Sequence, residues 1–285
     1  MAKRLTGKEV AADLLSRCRQ KSEDLHKKGV RPCLAIVRVG ENADDLYYQE
    51  SLERETAKAG IECRVFPLPL VVSDELLQNS LRGLSDDPSV HGILLFCPLP
   101  EHLDEEAARA AIDPQKDVDG LTKENAAALY SGDANAFAPC TAAAVVELLR
   151  YYQVPLTGQQ VVIIGRSLVV GKPLAMLLLA NNATVTICHS KSRDLPEVCR
   201  AADILISAVG KAKNFAVSFT SPWQTVVDVG INPDPLHPGK ICGDFVYESV
   251  EPQVEAITPV PGGVGTVTTA MLCYHTLRAC EAQSK

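Results

Sequence analysis

What this chain lacks narrows it first. No apolar run approaches the ~18 residues of a membrane helix, so no span is expected. Met1 to Val10 carries early cations but no apolar segment follows, so no secretory leader is expected either. Positive charge is in deficit: 28 Lys and Arg against 35 Asp and Glu leave a net charge of −7. That excludes a general basic footprint for nucleic acid and leaves only local patches. Cysteine is present ten times, yet no pair is spaced C-x-x-C and no Cys/His set has zinc-ligand spacing. Neither a disulfide framework nor a metal site is expected, and the thiols read as reduced, buried groups of a cytoplasmic protein.

What is present is an ordinary folded composition, 46 % hydrophobic and 22 % charged over 285 residues, which excludes disorder for the bulk of the chain. At about 150 residues per domain, that length suggests two domains or one large α/β unit.

Strand-like and helix-like segments alternate throughout. A helix is expected over 8–28, closed by Gly29, then a short apolar strand from Cys33 to Val37. Asp44 to Lys58 reads as a helix, Cys63 to Phe66 as a strand, and Ser73 as the N-cap of a helix reaching Leu84. The run Gly92 to Cys97 is apolar on both faces, as a buried parallel strand is, and stops at Pro98. A second block opens with the helix Ala142 to Tyr152. It continues with strands Val161–Ile164, Thr184–Cys188, Ile204–Ala208 and Thr225–Val229, with a helix at Pro173–Ala180. This order predicts a doubly wound nucleotide-binding domain. A final helix, Thr268 to Ala282, is expected to pack back on the N-terminal block, so that two long helices bridge the halves. The expected division is 1–142 plus 268–285 for one domain and 143–267 for the other.

The segment from Val161 to Pro173 is strand, turn and helix, with Gly165 at the turn and Gly171 at the helix start. Glycine there permits a tight turn and lets a phosphate approach backbone N–H groups. The spacing is G-x-x-x-x-x-G rather than G-x-G-x-x-G, so a turn without a ligand remains open on this loop alone. The end of the next strand reads Cys188-His189-Ser190-Lys191-Ser192-Arg193, with no acid before Asp194. An acid there favours NAD, whereas cations and hydroxyls favour the extra phosphate of NADP, and Arg166 adds a planar donor fork. Gly210 and Gly230 end two further strands at the same sheet edge.

Several segments together resemble one family. They are Lys116-Asp117-Val118-Asp119-Gly120, Pro139-Cys140-Thr141, Gly165-Arg166-Ser167 through Gly171-Lys172-Pro173, Cys188-His189-Ser190, and Thr258 through Gly265. In this order they resemble the methylenetetrahydrofolate dehydrogenase/cyclohydrolases, and they spread over nearly the whole chain. The resemblance implies two three-layer α/β domains flanking a cleft, the second Rossmann-like with a doubly wound parallel sheet. It implies NADP as cofactor, tetrahydrofolate derivatives as substrates and a homodimer. It assigns Tyr48 to stacking on the folate, Asp119 to the pterin end, and Leu99, Pro261, Gly262 and Gly263 to the substrate site. It assigns Gly165, Arg166, Ser167, Ser190, Gly210, Gly230, Ile231 and Thr268 to the cofactor.

Two departures matter. The family helix carries a Lys four residues after the Tyr, one turn on and on the same face; here that position is Leu52. The family strand reads Gly-x-x-x-Gln-x-Pro-Leu, and Phe96 stands at the Gln. Hydride transfer is mainly a positioning task, but hydrolysis of a methenyl bridge needs a water and a group to manage protons. The expectation is a dehydrogenase with weak or absent cyclohydrolase, a separate enzyme supplying the second step. The alternatives are the ordinary bifunctional enzyme, a dehydrogenase of altered substrate, and a folate- or nucleotide-binding pseudoenzyme. Trp223 is expected in core or interface packing, Asp104-Glu105-Glu106 as a helix N-terminal cluster, and Asp228 and Asp244 as turn acids.

Overall fold

A computed structural model describes residues 2–284. In chain order its elements are β1 Lys3–Arg4, α1 Gly7–Lys27, β2 Cys33–Val39, α2 Ala43–Lys58, β3 Glu62–Leu68, α3 Asp74–Asp86, β4 Gly92–Leu95, α4 Glu105–Ala110, α5 Lys123–Ser131 and α6 Cys140–Tyr151. They continue with β5 Gln160–Ile164, α7 Gly171–Ala180, β6 Thr184–Cys188, α8 Leu195–Arg200, β7 Ile204–Ser207, β8 Thr225–Asp228, β9 Asn232–Pro233, β10 Ile241–Cys242, α9 Tyr247–Val250, β11 Ala256–Ile257 and α10 Val264–Gln283. Two compact units result. The first is Ala12–Cys140 with the residues from Thr269 onward; the second is the residues through Ala11 with Thr141–Thr268.

The first unit is built on a parallel sheet ordered β3-β2-β4. All seven residues of β2 are buried, the reason Cys33 to Val37 reads as an uninterrupted apolar run; Arg38, which follows, is buried as well. Ala35, Val37, Ile93 and Leu95 face one side, against Leu77 and Leu81 of α3 and Ala108 of α4. Ser73 caps α3 by accepting from Leu76 N–H, as its sequence position predicts. Asp104 caps α4 in the same way, so the acidic run does mark a helix start. The Lys116–Gly120 segment extends the sheet: Ile93 N–H donates to Lys116 O at 2.7 Å, and Ile93 pairs with Asp117 in parallel. The last helix packs back onto this unit, with Arg278 over the Phe137 ring at 4.2 Å and Nη2 donating to Asn135 O and Ala136 O.

The second unit holds a six-stranded parallel sheet ordered β1-β11-β8-β7-β5-β6. Counted from β5, the strands run second, first, third, fourth, fifth, an order whose switch point lies between β5 and β7. The doubly wound expectation therefore holds. The N-terminal boundary does not: residues up to Ala11 belong to this unit because Lys3–Arg4 pairs with Ala256–Ile257, and Gly7 N–H donates to Gly262 O at 2.7 Å. Two strands of two residues each carry no periodicity that a sequence could reveal. Of the two expectations for Trp223, core packing does not hold. The residue is 57 % exposed, with Nε1 donating to Ala202 O at 3.3 Å, because it lies in the turn before β8 rather than in a strand. All ten cysteines are unbridged, eight of them buried.

Candidate active site

In the second unit the turn after β5 is shaped by backbone crowding. Gly165 sits at φ +129°, and a Cβ there would lie 2.4 Å from Ala208 O. A Cβ on Gly171 would lie 2.2 Å from Gly165 O. Both contacts are to backbone, so neither position admits a side chain, and the start of α7 is pressed onto the turn. Ser167 Oγ accepts from Val170 N–H at 3.0 Å, which holds the loop while its own proton remains available to donate. Arg166, Ser167 and Ser190 are exposed at the carboxyl edge of the sheet, where ligands bind in such folds. His189 is engaged locally, its Nδ1 accepting from Lys191 N–H at 3.1 Å.

Two buried acids build the rest of that edge. Asp244 accepts from Ser207 Oγ, Val209 N–H, Lys211 N–H and Asn232 Nδ2 at 2.7–3.1 Å. Asp228 accepts from Gly230, Asp244 and Phe245 N–H at 2.9–3.0 Å. Both are turn acids, as expected, and between them they hold the loops of Gly210 and Gly230. A Cβ on Gly230 would lie 2.1 Å from Asp244 Oδ1, so this glycine is required by the acid rather than by a ligand. Ile231 is exposed beside it, and Thr268 turns its hydroxyl to Val264 O of its own helix at 3.4 Å. The place of Asp228 and Asp244 at turns was visible in the sequence; their burial, and that they frame the loops, was not.

In the first unit, Asn42 caps α2 by accepting from Asp44 N–H. Tyr48 is on this helix, 37 % exposed, and stacks on Phe96 with ring centroids 5.3 Å apart and planes at 32°. Its hydroxyl end meets Thr269 and feels Asp119, Cys140 and Cys273. Burial, reinforced by the Asp119 charge, pushes the phenol well above its ordinary range, so Tyr48 stays neutral. One turn on, Leu52 is completely buried, followed on the same face by buried Thr56. Alternation along β4 sends Leu94 and Phe96 to one face and Ile93, Leu95 and Cys97 to the other. Leu99 packs against the core of the unit, its N–H donating to Glu105 Oε2 at 3.2 Å.

The Lys116–Gly120 segment divides its labour. Lys116 is buried and donates to Asp87 O at 2.7 Å and Leu84 O at 3.4 Å, closing the carbonyl end of α3. Asp117 is saturated by Leu121 N–H, Thr122 N–H, Thr122 Oγ1 and Asn125 Nδ2. Gly120, at φ +67°, lets the chain turn against Phe137 O. Only Asp119 is left for chemistry. Burial first, and the neighbouring Asp117 charge second, raise its pKa to about 6. Cys140, with its N–H at the start of α6, and the Arg109 charge oppose that rise. Desolvation wins, so Asp119 changes charge near neutral pH. Cys140 Sγ lies 3.2 Å from Val118 O and 3.5 Å from His275 Nδ1, and that ring donates to Val118 O at 2.9 Å.

The structure thus gathers Tyr48, Leu52, Phe96, Leu99 and Asp119 into one unit. Pro261, Gly262 and Gly263 stand in the other, with the nucleotide loops. Arg109 and Thr269 were not anticipated, because nothing local in the sequence marks either one.

Residues 5–119 match the family model for the tetrahydrofolate dehydrogenase/cyclohydrolase catalytic domain, and residues 139–284 match that for its NAD(P)-binding domain. The bifunctional protein FolD of Carboxydothermus hydrogenoformans is 50 % identical over 281 residues, which cover 99 % of this chain and 98 % of that protein. The crystal structure of the bifunctional enzyme FolD from Campylobacter jejuni is similar with a TM-score of 0.95 at 37 % identity, covering 99 % of each chain. A Trypanosoma brucei methylenetetrahydrofolate dehydrogenase-cyclohydrolase, complexed with NADP and an inhibitor, is similar with a TM-score of 0.93 at 33 % identity. That likeness covers 100 % of this chain and 99 % of the other.

Proposed function

The chain belongs to the tetrahydrofolate dehydrogenase/cyclohydrolase family, and from that premise we propose that it oxidises 5,10-methylenetetrahydrofolate with NADP and hydrolyses the product weakly or not at all. The nucleotide-binding unit fits such a cofactor. Gly165 and Gly171 let the turn after β5 close tightly onto the start of α7, and the exposed Arg166, Ser167, Ser190, Lys191 and Arg193 give the edge hydroxyls and cations. Arg166, Ser167 and Ser190 would hold its phosphates and ribose, with Gly210, Gly230, Ile231 and Thr268 along the rest of the edge. Bound there, NADP supplies the hydride acceptor.

The first unit's residues bind and orient the substrate. The Asp119 carboxylate accepts from the N–H groups of the pterin end, a charge-assisted contact that needs the ionised acid. Tyr48 stacks on the folate, with the apolar ring of Phe96 against its own and Leu52 sealed one turn along the same helix face. Loss of a hydride leaves a delocalised methenyl cation. The π face of Tyr48 favours that charge by about 0.5–2 kcal/mol. No side-chain proton is needed for this step.

The observation that carries the weak-hydrolysis reading is the pairing of a buried Leu52 with Phe96 stacked on Tyr48. An apolar wall disfavours the attacking water and offers nothing to take its proton. A separate enzyme would then convert the methenyl product to 10-formyltetrahydrofolate, and the chain would work as the homodimer its family implies. A second reading, the ordinary bifunctional enzyme, is favoured by the name of the 50 % identical relative and by the Asp119 pKa of about 6. Mixing the purified protein with 5,10-methylenetetrahydrofolate and NADP separates them. Methenyl product accumulating one-for-one with NADPH supports the first reading. NADPH without accumulation beyond spontaneous hydrolysis supports the second, and no NADPH overturns both.

A further inference from the structure

Behind Asp119, on the face of β4 opposite Phe96, lies a small cavity of about 10 Å³. Its polar lining is Cys97, Arg109, Asp117, Asp119 and Thr122. Asp117 already takes four donors, one of them the Thr122 hydroxyl, so neither has much left to offer the cavity. Arg109 is different. Its Nη2 is paired with Glu105 Oε1 at 2.6 Å, and its guanidinium meets Cys97, but its Nε is buried with no hydrogen-bond partner among the described residues. A buried donor left unpaired is costly, and such groups are ordinarily satisfied by protein or by ordered water. A cavity of this size admits one water molecule.

We propose that Arg109 is a positioning residue for Asp119, acting through one water held between its Nε and the Asp119 carboxylate. The water accepts from Nε–H and donates to the carboxylate, so Nε gains the partner that the protein does not give it and Asp119 gains one beyond Cys140. Glu105 holds the guanidinium in place from its far side, one turn back on α4. Arg109 thereby fixes which way the acid points and favours its ionised form. The proposal rests on the reading that Asp119 binds the pterin end, but its first test does not.

The groups facing Asp119 are Asp117 from its own segment, Tyr48 from α2, Cys140 from α6 and Arg109 from α4. Among them Arg109 is the one positive charge, so its removal has a defined direction. Carbon-13 NMR titration of the Asp carboxyls in the folded, ligand-free protein, with the Asp119 signal assigned through Asp119→Asn, reads the midpoint directly. Arg109→Met is expected to raise it by about half a unit to one unit, and Arg109→Lys by less. In the NADP-linked assay Arg109→Met should raise KM for 5,10-methylenetetrahydrofolate about 10-fold with a smaller change in kcat, and Arg109→Lys should restore part of the loss. An unchanged midpoint in a folded Arg109→Met protein overturns the proposal. A moved midpoint with unchanged KM keeps the Arg109–Asp119 link and overturns instead the assignment of Asp119 to the substrate. Should Arg109→Met fail to fold, a crystal structure of the wild-type protein that resolves waters decides: a water bridging Nε and Asp119 supports the link, and its absence overturns it.

Discussion

The rings of Tyr48 and Phe96 stack at 5.3 Å, and that contact places an apolar surface where the resemblance puts an amide. Restoring the family pair is therefore a direct test. Leu52→Lys alone should destabilise the protein by about 3 kcal/mol or more, since it buries a charge with no partner. Adding Phe96→Gln supplies a hydrogen-bond partner and should recover part of that loss. Methenyl hydrolysis by the double variant is expected to exceed that of wild type and of either single variant at least 10-fold, read from the decay of the methenyl chromophore.

Gly165→Ala should be severe for two independent reasons. Its φ of +129° is a conformation that alanine rarely adopts, and the new methyl would meet Ala208 O at 2.4 Å. We expect a loss of about 2–4 kcal/mol in stability and a rise of at least 10-fold in KM for NADP. Thermal unfolding and initial rates check the two effects separately.

Asp244→Asn keeps the shape of a buried side chain but replaces one acceptor oxygen with an NH2. Four donors now converge on the carboxylate, so at least one would face another donor. The expected cost is about 2–4 kcal/mol in urea unfolding, with weaker NADP binding because the loops of Gly210 and Gly230 lose their common anchor.

His275 gives the fold an acid limit. Burial pushes its pKa down to about 4 from an ordinary 6.5, so the folded protein keeps the ring neutral. Between those values the unfolded chain binds a proton that the folded chain refuses. This contribution is therefore fully present above about pH 6.5 and is lost progressively as pH falls to about 4, reaching roughly 3 kcal/mol. Urea unfolding from pH 4 to 7.5 should show that slope in wild type and a shallower one in His275→Gln.

Much of the fold was legible because its strands are buried on both faces. Cys33–Val37 in β2, all of β4 and Val161–Ile164 in β5 announce themselves as unbroken apolar runs, and Ser73 stands where a cap belongs. β1 and β11 escaped because pairing, not composition, makes them strands: Lys3 and Arg4 are exposed cations. At the candidate site, the resemblance singles out Tyr48 and Asp119. The division of labour within Lys116–Gly120 was not legible, since three similar polar residues take up different partners only after the chain is folded. Arg109 carried no signal at all. Its meaning lies in one buried nitrogen, a property of packing that no spacing encodes.

The pairing of Lys3–Arg4 with Ala256–Ile257 also fixes when the protein can fold. Each unit is assembled from stretches at opposite ends of the chain. On the ribosome, where about 5–20 residues are added each second, the earliest strand must wait for the last one to emerge. Neither unit can be completed before the stretch that closes it has emerged, and until Ala256–Ile257 emerges Lys3–Arg4 has no strand to pair with.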